Sequence, residues 1–213
     1  SSMQIGGMVK LVRRVLISAF LFESAGALLL AIRFIPEFGI KRGIWFSVFH
    51  SVSAFCNAGF DLIGVKAPYS SLVSYVGDPL VILTIGGLIV CGGLGFIVWG
   101  DVADHGWHIR RYKLHSKVVL ASSAVLITVG TALFLILEND TVLSGMHIGE
   151  KILAALFQSI TPRTAGYNSI DTSALSEAGK SLTILLMIIG ASPGSTGGGM
   201  KTSTFAVILL SLQ

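Results

Sequence analysis

Charge is what this sequence has little of. Asp, Glu, Lys and Arg make up 12% of its 213 residues while 53% are hydrophobic, a balance too apolar to keep the surface of a soluble domain of this size wet. Mean hydropathy is +0.80. Cysteine is scarce as well: Cys56 and Cys91 both lie in apolar surroundings and make no disulfide framework. His105, His108 and His115 share one basic loop without metal-ligand spacing and read as a solvated face. No nucleophile, base and orienting group stand together, so the chain is not read as an enzyme. None of the apolar runs has the short apolar core and cleavage site of a secretory leader, so all are expected to remain in the mature protein.

Those runs are what is there instead. Val15 to Ile32 is broken only by Glu23, Pro79 to Gly100 forms a second run, and Val118 to Leu137 is uncharged throughout. Each approaches the roughly 20 residues that cross a bilayer as helix. The reading is an all-α polytopic membrane protein surrounded by lipid. Lys10, Arg13 and Arg14 precede the first run, and Arg110, Arg111, Lys113 and Lys117 crowd the connection "HGWHIRRYKLHSK". Segments on the other side carry Asp61, Asp78, Glu138, Asp140 and Glu150 against only Lys66 and Lys151. Cations gather at cytoplasmic ends, which puts the N-terminus and the 105–117 loop inside. No nucleic-acid-binding module accompanies the basic loop, so nucleic acid is not an expected partner. Asp78-Pro79 has the form of a helix start, Asp as cap and Pro in the first turn. Gly86, Gly87, Gly92, Gly93 and Gly95 supply small surfaces for close helix contact.

Two further apolar stretches are too short to cross. "GIWFSVFHSVSAFCNAGFDL", residues 43–62, and "EKILAALFQSITPRTAGYNSID", residues 150–171, read as helices that enter the membrane and return as extended backbone. Such backbone is tolerated there only where it is buried in protein or lines a wet cavity. The stretches match each other: Phe49, Ser51 and Ser53 against Phe157, Ser159 and Thr161, then Asn57-Ala58-Gly59-Phe60 against Thr164-Ala165-Gly166-Tyr167. One gap is required, because the phenylalanines lie 157 − 49 = 108 residues apart and the glycines 166 − 59 = 107. Two repeats follow, 1–104 and 105–213, each a crossing helix, a re-entrant segment and a second crossing helix. A re-entrant helix directs its C-terminal partial negative charge inward, and carbonyls beyond it can replace a cation's hydration shell. Glycines that merely cap buried helices are the plainer reading of Gly59 and Gly166, and a non-conducting structural membrane protein is the function it implies.

"GASPGSTGGGMKTS", residues 190–203, has the look of a nucleotide loop, and the alternative function that look implies is a membrane ATPase with its nucleotide site here. Gly194 and Gly199 have the spacing of a phosphate cradle, but Met200 intrudes before Lys201, and both flanks are uniformly apolar rather than strand and amphipathic helix. Pro193 removes a helix donor, and Gly194, Gly197, Gly198 and Gly199 disfavour helix, so the last crossing helix breaks here. Ser192, Ser195 and Thr196 can satisfy the backbone groups thus freed.

At these residues the sequence resembles the Ktr/Trk/HKT superfamily of potassium transporters, and most closely its bacterial KtrB-type membrane subunits. "SVFHSVSAFCNAGFDLIG", "SYVGDPL", "FQSITPRTAGYNSID" and "IGASPGSTGGGMKTSTF" carry the resemblance, in family order, over nearly all of the chain. It implies four repeats around one ion path, each giving a filter strand. Asn57, Ala58, Gly59 and Phe60 match the second repeat's strand, and Thr164, Ala165, Gly166 and Tyr167 the third's. It further implies that Gly190, Ala191, Ser192, Pro193, Gly194, Ser195, Thr196, Gly197, Gly198, Gly199, Met200 and Lys201 form a flexible gate loop below the filter. The transported ion would be K+, held by filter carbonyls, with Na+ as a further ion. A homodimer in the cytoplasmic (inner) membrane would sit on a KtrA-like regulatory ring that binds the nucleotide. The first and fourth repeats have no counterpart here, and the chain begins "SSMQIGG" and ends at Gln213 within an apolar run. An excerpt of a longer protein is therefore expected. Glu23, inside the first run, is read either as a bundle contact or as an ion contact. Arg163 is expected to brace the loop from behind by hydrogen bonding, and Lys201 either to hold the loop or to start the next helix.

Overall fold

The computed structural model describes residues 2–65 and 70–211; Lys66 of the charge argument and Gln213 lie outside them. Helix α1, Ser2–Phe38, contains a 27-residue stretch, Val12–Phe38, apolar enough to cross a membrane. Gly39, at φ +80°, reverses the chain at once into α2, Ile40–Phe55, which packs back along α1. Positive φ is the reason for glycine at this corner.

An irregular return leads to α3, Pro79–Leu94. Its start is capped as expected: Asp78 Oδ1 accepts from the Leu80 and Val81 amides at 3.1 and 3.3 Å. The other Asp78 oxygen pairs with Arg33 Nε at 2.5 Å, tying the top of α1 to the top of α3. The run from Pro79 to Gly100 is not the single crossing helix its composition predicts. At Gly95 the axis bends by 93° into α4, Phe96–His105. Gly95 has φ +90°, and a Cβ on it would lie 2.8 Å from the Pro193 carbonyl oxygen, so both backbone and space demand glycine.

The second half repeats the order. α5, Leu114–Leu137, is the second helix able to cross alone. α6, Ile148–Ile160, re-enters, and the last crossing is divided into α7, Glu177–Ile188, and α8, Thr202–Ser211. Buried Glu138 closes α5 onto α7, accepting from the Ser176 hydroxyl at 2.5 Å, from the Ser176 amide and from Thr141. Asp101 does the same at the other end of α5. Its carboxylate accepts from Ser116 Oγ at 2.5 Å and from the Lys113 amide at 3.1 Å, joining α4 to α5. One apolar core runs through both repeats, with Phe34, Phe55, Ile82, Ile85, Phe157 and Tyr167 buried in it.

Candidate functional site

Both re-entrant helices are hung from their outer helices by the same contact. Ser51 Oγ donates to the Glu23 carbonyl at 2.6 Å, and Ser159 Oγ to the Ile127 carbonyl at 3.0 Å. In each case the acceptor lies three residues before a glycine, Gly26 or Gly130, on which a Cβ would overlap or crowd that serine hydroxyl. The serines differ by 159 − 51 = 108 in number, the offset read from the sequence.

Beyond the helix ends the chain turns back in matching geometry. φ is positive at the first and third residue of each strand: +52° at Asn57 and +72° at Gly59, +85° at Thr164 and +86° at Gly166. These pairs are 107 apart. A non-glycine residue at positive φ is uncommon, and here one stands at the same place twice. The hydroxyl of Ser53 donates to the Phe60 carbonyl at 2.8 Å, and that of Thr161 to the Tyr167 carbonyl at 2.6 Å. The offset falls from 108 to 107 between those hydroxyls and the strands, so the one-residue gap lies in the turn that ends each helix.

The two strands touch. A Cβ on Gly59 would overlap the Ala165 carbonyl oxygen, whereas one on Gly166 would meet nothing nearer than Gly59 Cα at 4.0 Å. The Tyr167 hydroxyl crosses between repeats to the Phe60 carbonyl at 3.0 Å. Phe60 and Tyr167 thus differ from the other strand residues, since their carbonyls are turned back onto hydroxyls. Buried His50 holds the outgoing leg of the first strand. One ring nitrogen lies 2.7 Å from the Phe46 carbonyl, and the other accepts from the Leu62 amide at 3.2 Å, which assigns a neutral ring.

Residues 190–201 lie packed under the strands. The segment is bonded along its length: Gly190 amide to Met200 carbonyl at 2.9 Å, Ala191 amide to Gly198 carbonyl at 3.1 Å, and Lys201 Nζ to Gly197 carbonyl at 2.8 Å. Lys201 therefore holds the loop, and its carbonyl also receives the Phe205 amide at 3.1 Å in the first turn of α8. The loop rests on the α3–α4 corner. Ser192 and Thr196 amides donate to the Gly93 and Gly92 carbonyls at 3.0 and 3.3 Å, and the Phe96 amide to the Gly194 carbonyl at 2.9 Å. With these amides committed, the segment is no phosphate cradle, which needs them free and convergent. Above, the Thr196 hydroxyl donates to the last helical carbonyl of α2, Phe55, at 2.8 Å, and accepts from Asn57 Nδ2 at 3.0 Å. Gly197 lies so close to Thr164 Oγ1 that a Cβ would overlap it.

Several residues stand apart from their sequence readings. Glu23 gives its carbonyl to Ser51, and its carboxylate lies 4.0 Å from the Cys56 thiol at the end of α2. Arg163 lines a cavity of about 20 Å³ with Ile89, Val90, Gly93, Ser123, Ile160 and Ala191. Its Nε finds no acceptor among the described residues, so that atom does not make the expected brace. Gly95 and the Asn57–Thr196 bond were not anticipated. The GG-x-G spacing of Gly92, Gly93 and Gly95 was the available signal for the corner; nothing local signals the bond. Outside the membrane, Ser173 hydrogen bonds hold the Asp171 carboxyl below the usual carboxylate range.

This arrangement of outer helix, re-entrant helix, returning strand and broken inner helix has counterparts among known proteins. A profile of the cation transport protein family TrkH matches residues 2–213. The chain belongs to the TrkH family. It is 44% identical to the potassium/sodium uptake protein NtpJ of Enterococcus hirae over 212 residues, 99% of this chain and 46% of that protein. The Ktr system potassium uptake protein B of Vibrio alginolyticus is 42% identical, over 94% of this chain and 44% of its own; that of Bacillus subtilis is 41% identical, over 98% and 46%. The TrkH family member of this chain's type is thus the KtrB-like subunit. The crystal structure of the potassium transporter TrkH from Vibrio parahaemolyticus shares the fold, with a TM-score of 0.61 and 19% identity over 90% of this chain and 47% of that one. The chain spans about half the length of these relatives.

Proposed function

We propose that the chain is the middle half of a potassium-translocating subunit, residues 1–104 and 105–213 being its second and third repeats. Cations shed water onto backbone carbonyls of Asn57, Ala58 and Gly59 and of Thr164, Ala165 and Gly166. Phe60 and Tyr167, read from the sequence as further ligands, brace these strands through their occupied carbonyls. The observation that carries the reading is the paired positive φ at 57 and 59 and at 164 and 166, on strands in contact above a loop seated against Thr164. Alternating backbone handedness lets successive carbonyls line one side of a strand, as a row of cation ligands requires. Two buried oxygens at the inner end, Asn57 Oδ1 and Thr164 Oγ1, have no partner among the described residues. Such orphans cost about 1–3 kcal/mol each, and a passing cation offsets that.

K+ is the ion by the names of the relatives, with Na+ admitted by that of NtpJ. Residues 190–201 act as the gate, held shut by the corner at Gly95 and by Thr196. A homodimer in the cytoplasmic membrane, regulated by a nucleotide-binding ring, is the proposed assembly. The test is potassium uptake by a potassium-requiring cell carrying the full-length protein, comparing wild type with Gly166→Ser and with a deletion of residues 193–199. Weaker discrimination against sodium in the first and raised flux in the second are expected. Unchanged transport in both makes the strands and loop merely structural.

A further inference from the structure

We infer that the Tyr167 hydroxyl determines how sharply the ion path separates cations of different size, by clamping the Phe60 carbonyl of the neighbouring repeat. The inference rests on the ion-path reading above. Tyr167 is fixed at both ends. Its carbonyl is held by Thr161 Oγ1 of its own repeat at 2.6 Å, and its hydroxyl reaches the other repeat's strand at 3.0 Å. Between them lies a rigid ring with no exposed surface, packed in the core shared by both repeats.

The receiving carbonyl is fixed as firmly. A carbonyl oxygen offers two lone pairs, and at Phe60 these are taken by Ser53 Oγ, 2.8 Å away, and by the phenol. Phe60 directly follows Gly59, whose Cα lies against the Ala165 carbonyl. The phenol therefore ties the two strands together one residue from the place where Gly59 meets the Ala165 carbonyl, and so sets their separation there. A filter that selects by snug fit must resist closing on a smaller ion, and a bond across the strands supplies that resistance. The brace runs one way: position 60 is phenylalanine and has no hydroxyl to return, so the third repeat stiffens the second. Tyr167 touches no ion in this scheme and is a positioning residue.

The experiment uses the full-length protein in liposomes, with rubidium uptake measured against competing potassium or sodium. Tyr167→Phe keeps the ring and removes only the hydroxyl. We expect roughly a fivefold loss of potassium-over-sodium preference, the worth of one net hydrogen bond. Ser53→Ala removes the other donor from the same carbonyl and should shift the ratio in the same direction, which keeps the test decisive should Tyr167→Phe fail to fold. Gly166→Ser is the control on the ion path itself. An altered ratio in Gly166→Ser with wild-type ratios in Tyr167→Phe or Ser53→Ala overturns the clamp and leaves the ion path standing. Wild-type ratios in all three overturn both.

Discussion

In the first repeat the inner helix is interrupted at one residue, Gly95, and turns by 93°; in the second it stops at Ile188 and resumes only at Thr202. The two interruptions fit together, because the thirteen residues between α7 and α8 lay their backbone on the corner that Gly92, Gly93 and Gly95 provide. A break of one residue makes a seat, and a break of thirteen makes something to sit on it. The strands differ in a parallel way. Gly59 is crowded by the other repeat's backbone, while Gly166 has the same positive φ and open space around it. Shared ancestry of pattern thus leaves the two repeats with unequal tolerance to change.

That inequality can be tested most strongly at the strands. Gly59→Ala adds an overlap with the Ala165 carbonyl to a backbone strain of about 1–3 kcal/mol, whereas Gly166→Ala meets the strain alone. Gly59→Ala should abolish transport and lower the melting temperature of the purified full-length protein; Gly166→Ala should retain measurable uptake. Equal damage at both sites would break the comparison. Next is the corner: Gly95→Ala faces about 1–3 kcal/mol of strain and crowds Pro193, so the loop should lose its seat and uptake should rise above wild type. A fall in uptake with intact folding would mean that the corner does not hold the loop.

A smaller effect is expected at the latch. Thr196→Val keeps the shape but gives up the bonds to Phe55 and Asn57, each worth about 0.5–1.5 kcal/mol net, so basal uptake should rise several-fold and Thr196→Ser should restore it. Val and Ser variants that behave alike would remove the hydroxyl from the account. The smallest effect sharpens the contrast among the α3 glycines. Gly87 has nothing within 4 Å of its Cβ direction, so Gly87→Ala should leave transport unchanged and stabilise α3 by up to about 1 kcal/mol, read as a slightly higher melting temperature. Gly92→Ala, whose Cβ would overlap the Phe55 carbonyl, should not share that tolerance.

Much of this was legible along the chain. Apolar run lengths, the Asp78-Pro79 start and the broken stretch after Gly190 are local properties, because backbone entropy, missing donors and hydrophobic length act within a few residues. The duplication was legible too, down to its single gap, since Ser51 and Ser159 or Gly59 and Gly166 must meet the same demands in each copy. The 93° corner was not: Gly95 stands in a stretch with four other glycines, Gly86, Gly87, Gly92 and Gly93, and composition alone does not say which of them takes a positive φ. Nor could the sequence by itself tell which strand carbonyls are turned away. For Phe60 that depends on a hydroxyl brought up by the fold, Tyr167 across 107 residues, just as the end of α2 at Phe55 is met by Thr196 across 141. Period and punctuation determined where the chain crosses, enters and returns. Only tertiary packing decided which distant polar groups were left to face one another, because a hydrogen bond between segments a hundred residues apart is made by position in space and not by local spacing.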